Sequence, residues 1–247
     1  LRKVKQLFNK HPNKDIYIIG TGPSLRLFPK EFLYDKITIG LNQAYKLIQP
    51  TYSLTIHPYL IPLNRRDWNT TWITKTKLND ESWKYHVQND NDKHFYILNN
   101  NNNPRDLSWC TPMGQRPPSG VYVGCGIQTG AIHLAALMGA SNAFLIGVDM
   151  GLTAGDNHAL DQHVEPHQFS LEEMYNEYFY YTYRVAELMK KHFRMNTFNL
   201  SIGFGIPHHF EKQYKRALET NVLKQLPESK VIEKNARTTP LVCDFIQ

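Results

Sequence analysis

Three short apolar runs constrain this chain most. Residues Ile16 to Ile19, Lys36 to Gly40 and Tyr52 to Ile56 are rich in Ile, Tyr, Leu and Thr. Each is too short for a buried helix and carries the β-branched and aromatic residues that favour a strand. Each ends in a turn: Gly20-Thr21-Gly22-Pro23-Ser24, Leu41-Asn42-Gln43 and His57-Pro58. The intervals between the runs hold one short helix each. That rhythm, strand then crossover then strand, predicts a parallel sheet.

The rest of the chain divides into less and more regular parts. Residues 64–118 are polar and Asn-rich, which predicts an irregular excursion with a single strand, His94 to Leu98, and a loop over the Asn run at 99–103. From Ser119 the order returns. "GIQTGAIHLAALMGA" places small and apolar residues at helical spacing and stops at a Gly. "NAFLIGVDM" predicts a strand buried on both faces. A long loop with His158, His163 and His167 follows. Ser170 and Glu173 form a capping-box pair that opens an amphipathic helix. "MNTFNLS" predicts another strand, and "PHHFEKQYKRAL" starts a further helix, with His208 and His209 at its opening. The expectation is one α/β domain over 1–247 with a Rossmann-like, mostly parallel sheet. Segments 64–118 and 151–170 are expected to form a lid-like insertion over the carboxyl ends of the strands.

Hydrophobic residues make up 41% of the 247 and charged residues 20%, enough for a substantial core in a globular domain. The formal charge of +6 is compatible with a phosphate-bearing ligand, an anionic membrane surface or nucleic acid. Cys110, Cys125 and Cys243 form no C-x-x-C pair, which argues against a cysteine zinc site and for a reducing compartment. No apolar run reaches the length of about 18 residues that a membrane span needs. The first residues are basic, without a signal-peptide core or initiator Met, as expected of a segment trimmed from a longer chain.

In an open parallel sheet, ligands bind outside the carboxyl ends of the strands. The turns after the three runs and the Asp149-Met150-Gly151 turn after the fourth strand are therefore expected to line one crevice. The Gly20–Ser24 turn is neither the dinucleotide fingerprint nor a P-loop, since the third Gly and the Gly-Lys pair are missing. Its N–H groups are expected to meet an anion, or the turn simply joins strand to helix. Asp149 ends an apolar strand, where a carboxylate is costly unless paired. A ribose hydroxyl pair is one partner, and a cap on the following turn is the other reading. His163 and His167 have a metal-like spacing, but Pro166 interrupts the helix that this would need. One histidine acting as general base fits better.

Several motifs in order resemble the bacterial sialyltransferases of glycosyltransferase family 42. "IIGTGPSL" is similar to the family's first strand and Gly-Asn-Gly-Pro-Ser-Leu turn, and "LNQAY" to its Cys-Asn-Gln turn. "QRPPSGVYVG" resembles its Gln-Arg-x-x-Ser-Gly-Val-Tyr segment, "LIGVDM" its Leu-Ser-Gly-Ile-Asp-Phe strand end, and "HALD" its Tyr-Ala-Phe-Asp segment. "HVEPH" resembles its His-x-x-x-His. The likeness spans about residues 15–205. It implies a fold of the GT-A-variant type and transfer of a nonulosonate sugar from a CMP-activated donor to a glycan hydroxyl. Inversion, no metal and no other cofactor are implied as well.

By the same resemblance, His167 is the general base, Arg116 an active-site arginine and His158 the group beside the departing phosphate. Gly20, Thr21, Gly22, Ser24, Asn42, His57, Ser119, Gly120, Gly147 and Asp149 contact the donor. Thr21 and His57 stand where the family has Asn, and Val164, His158 and the Gly151–Leu152 position stand where it has Tyr. The acceptor is expected to be an oligosaccharide or a lipid-linked glycan, with no nucleic-acid partner. The expected compartment is the cytoplasm; peripheral association with the inner membrane and oligomers are both compatible with it. The turn and the "GVDM" end also resemble a broader group that includes archaeal pterin diphosphokinases. Two alternatives therefore stand: an ATP- and Mg²⁺-dependent diphosphokinase using Asp149, Asp156 and Asp161, and a non-catalytic nucleotide-sugar binding module.

Overall fold

The computed structural model describes residues 2–62, 68–75, 95–97, 106–110, 120–124, 126–150 and 171–201. Eight strands form one sheet: β1 (Arg2–Lys3), β2 (Asp15–Ile19), β3 (Ile37–Leu41), β4 (Tyr52–Thr55), β5 (Thr71–Thr74), β6 (Phe95–Ile97), β7 (Asn142–Ile146) and β8 (Asn196–Asn199). Their order across the sheet is β1-β6-β5-β4-β3-β2-β7-β8, and every neighbouring pair is parallel. Among the described residues two α-helices accompany them, α1 (Ile127–Leu137) and α2 (Leu171–Phe193). The fold is α/β and Rossmann-like.

Alternation along β2 sets the two faces. Ile16 and Ile18 point into a core with Ile39, Leu41, Leu54, Ile73 and Leu145, covered by α1 and α2. Every residue of α1 after Ile127 is buried, because the helix is sandwiched between the sheet and α2. Tyr17 and Ile19 point the other way, into a core with Leu25, Phe28, Leu33, Phe144, Ile146 and Phe198. On that face Tyr17, Phe144 and Phe198 are in register on β2, β7 and β8 and stack at 5.0 and 5.2 Å between ring centroids. Stacked pairs of this kind contribute about 0.5–1.5 kcal/mol each beyond their buried area.

The short helices expected in the crossovers are present as 3₁₀ helices, one after β3, Ala44–Lys46, but two after β2, Pro23–Leu27 and Lys30–Leu33, where one was expected. Proline explains this: Phe28 precedes Pro29 and is held extended (ψ 133°), so the turn cannot propagate. Among the described residues the 64–118 excursion contributes two strands to the sheet instead of one, since Thr71–Thr74 pairs with β4 along its whole length. The N-terminal "RK" also adds a strand beside β6 that was not expected. Within the expected lid, Leu107–Cys110 form a 3₁₀ helix whose Cys110 is buried in the core. Its segments 64–67, 76–94, 98–105 and 111–118, the 151–170 loop and the helix after Pro207 lie outside the described residues.

The chain between β1 and β2 caps α1. The N–H groups of Asn9, His11 and Asn13 donate to the carbonyls of Leu137, Met138 and Gly139, which a helix end leaves without partners. No helix among the described residues is long and apolar enough to cross a membrane.

Candidate functional site

The chain steps outward from β2 through β3, β4, β5 and β6, then returns through α1 to place β7 on the other side of β2. The strand order therefore reverses between β2 and β7. Connections leave these neighbours in opposite directions, and a crevice opens at their carboxyl ends. The turns that follow the two strands meet there. Gly20 N–H donates to Ile146 O at 2.8 Å and Gly22 N–H to Gly147 O at 2.7 Å. Ser24 N–H donates to Asp149 Oδ2 at 2.8 Å, and Ser24 Oγ donates to Asp149 Oδ1.

Close approach explains two of the glycines. A Cβ on Gly22 would lie 2.6 Å from Asp149 Cγ and 2.7 Å from Gly147 O. Gly147 has φ +64°, a left-handed conformation that a side chain resists, and a Cβ there would meet Leu25 Cβ at 2.8 Å.

Asp149 and Ser24 are both buried. Burial raises the carboxyl pKa of Asp149, and hydrogen bonds from Ser24 and Ser201 act in the opposite sense. Ser201, just past β8, also accepts the Val148 N–H at 2.8 Å. Asp149 thus caps a turn, but not the one after its own strand. Ser24 is the second residue of the 3₁₀ turn after β2, and its N–H is one of the donors that such a start leaves open. The N–H groups of Gly20, Gly22 and Ser24, expected to meet an anion, are already satisfied by β7 and its extension. The anion at this turn is the protein's own carboxylate.

Along the sheet, Asn42 and His57 follow β3 and β4. Asn42 has φ +48° and donates its N–H to Leu54 O at 3.0 Å. Its Oδ1 accepts from Thr55 Oγ1 at 3.0 Å, and the same hydroxyl accepts the His57 N–H at 3.1 Å. The fully buried Thr55 therefore ties the two strand ends together. The His57 ring lies 5.3 Å from that of Tyr59, which is exposed. From the end of β7 to the end of β4 is three strand spacings, roughly 14 Å.

Gly120 is buried and enters Val121-Tyr122, whose backbone is held by α1. Tyr122 N–H donates to His133 Nδ1 at 2.8 Å, so the ring proton sits on Nε2, which has no partner. Complete burial lowers the pKa of His133 to about 3 and keeps it neutral.

The structure thus brings Gly20, Thr21, Gly22, Ser24, Gly147 and Asp149 together at the switch point and sets Asn42 and His57 beside them. Arg116, Ser119, His158, His167, Asp156 and Asp161 lie outside the described residues. Three contributors escaped the sequence reading: Thr55, Ser201 and His133. Thr55 and Ser201 carried a faint signal as hydroxyls at strand ends. Comparison with protein-family models, with curated proteins and with solved structures found no match.

Proposed function

We propose that this chain is an inverting glycosyltransferase that moves a nonulosonate sugar from a CMP-activated donor to a glycan hydroxyl without a metal. The observation that supports this most is the joined pair of turns at the reversal of strand order, with Ser24 and Asp149 at its centre. That is where an open α/β sheet receives a nucleotide. Each carboxylate oxygen has two lone pairs; Ser24 occupies one on each, and Ser201 takes a third. The remaining capacity, with the lone pairs of Ser24 Oγ, accepts ribose hydroxyls. Asn42, fixed by Thr55, supplies amide donors to the base or ribose.

The resemblance assigns the chemistry to residues elsewhere in the chain. His167 takes the proton from the acceptor hydroxyl as its oxygen attacks the anomeric carbon. The bond from that carbon to the CMP phosphate oxygen breaks, and CMP leaves with the electron pair, its charge supported by His158. Arg116 meets the donor carboxylate or the acceptor. The satisfied N–H groups of the Gly20–Ser24 turn shift the phosphate away from that turn toward His158.

The test is CMP release from a CMP-activated nonulosonate in the presence of glycan acceptors and EDTA. Release that persists in EDTA and falls by about 10²–10⁴ in His167→Ala supports the reading. Binding of CMP with no turnover for any acceptor, and no effect of His167→Ala, points instead to the binding module. Unchanged turnover in His158→Phe refutes the role given to His158.

A further inference from the structure

The opposite end of the sheet carries a different feature. The loop before β2 holds Lys10 and Lys14, and the end of α2 with the turn before β8 holds Lys190, Lys191 and Arg194. All five are exposed. Backbone hydrogen bonds bring them to one edge: Ser141 N–H donates to Lys14 O, and Asn196 N–H donates to Ser141 O, each at 3.0 Å. The loop carrying Lys10 is anchored on the same edge by its bonds to Leu137, Met138 and Gly139.

Among the described residues none of these five cations has an acidic partner. Of the acids at this edge, two are engaged elsewhere, and Glu187, three and four residues before Lys190 and Lys191 on α2, offsets one of the charges there. Asp15 accepts from the Asn142 side chain at 2.8 Å, and the exposed Asp35 pairs with Lys36 at 3.0 Å. Lys190 and Lys191 also complement the carbonyl end of α2, but Lys10 and Lys14 have no such role. In the turn that leads into β3, at the same end of the sheet, Tyr34 is 76% exposed, an unusual position for a large ring. Cations and an exposed tyrosine on one end of a sheet match the chemistry of a lipid headgroup layer, where an amphipathic ring sits at the interface and anionic headgroups meet the charges.

We infer that the amino-end face of the sheet, with Lys10, Lys14, Lys190, Lys191, Arg194 and Tyr34, docks on an anionic membrane surface. Docked so, the crevice at the carboxyl ends faces the aqueous side, where a soluble donor and acceptor reach it. This inference does not depend on the reaction proposed above.

The experiment is co-sedimentation of the full chain with phosphatidylcholine vesicles, with and without phosphatidylglycerol. Each cation near an anionic leaflet contributes about fivefold to partitioning. Changing Lys10, Lys14, Lys190 and Arg194 together to Gln is expected to lower partitioning by two to three orders of magnitude, roughly. The melting temperature should stay unchanged, since no hydrogen bond of these side chains is lost. Binding should need phosphatidylglycerol and disappear at about 1 M salt. A second quadruple variant, Lys30, Lys46, Lys75 and Arg184 to Gln, removes the same charge elsewhere and should bind almost normally. Equal loss in both variants, no binding of the wild type, or tighter binding to duplex nucleic acid than to vesicles at the same salt would each overturn the proposal.

Discussion

Replacing Asp149 separates the two things its carboxylate supplies, acceptor geometry and charge. Asp149→Ala leaves the Ser24 N–H and hydroxyl without their acceptor at a buried site. Hydrogen bonds to a charged group contribute about 1.5–3 kcal/mol each, and part of that loss is offset because a buried charge disappears as well. The expected net destabilisation is about 2–4 kcal/mol, a fall in Tm of roughly 5–15 °C for a chain of this length. Asp149→Asn behaves differently. The amide oxygen accepts the Ser24 N–H, and the amide nitrogen donates to Ser24 Oγ.

The sign of the charge effect follows from the pKa. Burial raises the folded-state value of Asp149 above its ordinary 3.8. From the unfolded value upward to the folded one, the folded state therefore holds more protons than the unfolded state. Stability falls as pH rises through that window, because ionising the buried carboxyl carries a cost that the neutral amide lacks. Asp149→Asn should thus unfold in urea within about 1 kcal/mol of the wild type, or slightly above it. It should also lose the acid-side dependence. If the Asn and Ala variants fall equally, charge rather than geometry joins the turns and the reasoning is wrong.

Other outcomes follow from the same contacts. Gly22→Ala should destabilise by about 2 kcal/mol or more in urea unfolding, because its Cβ has no room beside Asp149 and Gly147. Thr55→Val should cost about 1–2 kcal/mol and weaken nucleotide binding, measured by calorimetry, while Thr55→Ser restores both. His133→Leu leaves the Tyr122 N–H without an acceptor and should cost about 1–3 kcal/mol. His133 also carries a pH signature. Its folded pKa is about 3 against 6.5 unfolded, so its contribution is present above 6.5 and lost as pH falls toward 3. The wild type minus His133→Leu difference in unfolding free energy should shrink across that range.

Much of the fold was legible because its strands are buried on both faces and read as continuous apolar runs. β2, β3 and β4 lie within a residue or two of their expected bounds, and β7 starts where expected but stops at Ile146, four residues before the end of the expected run. β5 escaped because "TWIT" alternates Thr with apolar residues over four positions and is recognised as a strand only through its pairing with β4. β1 is two residues long and has no pattern of its own. The turns after β2 were expected at the right places, yet their state as 3₁₀ helices depends on proline geometry acting against weak helical spacing. Asp149 shows the sharper limit. The sequence marks a carboxylate at the end of an apolar strand as needing a partner, but Ser24 is 125 positions away and only the reversal of strand order brings the two together. Similarly, His133 reads as one polar residue on a small, apolar helix, and its bond to the Tyr122 backbone is invisible until that segment is folded over it.

The central claim is that the β2–β7 switch point holds a cytidine nucleotide. Calorimetric titration of the full chain with CMP, UDP, GDP and ATP, each with and without Mg²⁺, tests it most directly. The account predicts binding of CMP that is independent of Mg²⁺ and is lost in Asp149→Ala but not in a membrane-face variant such as Lys14→Gln. Binding of ATP only with Mg²⁺, and none of CMP, would contradict it.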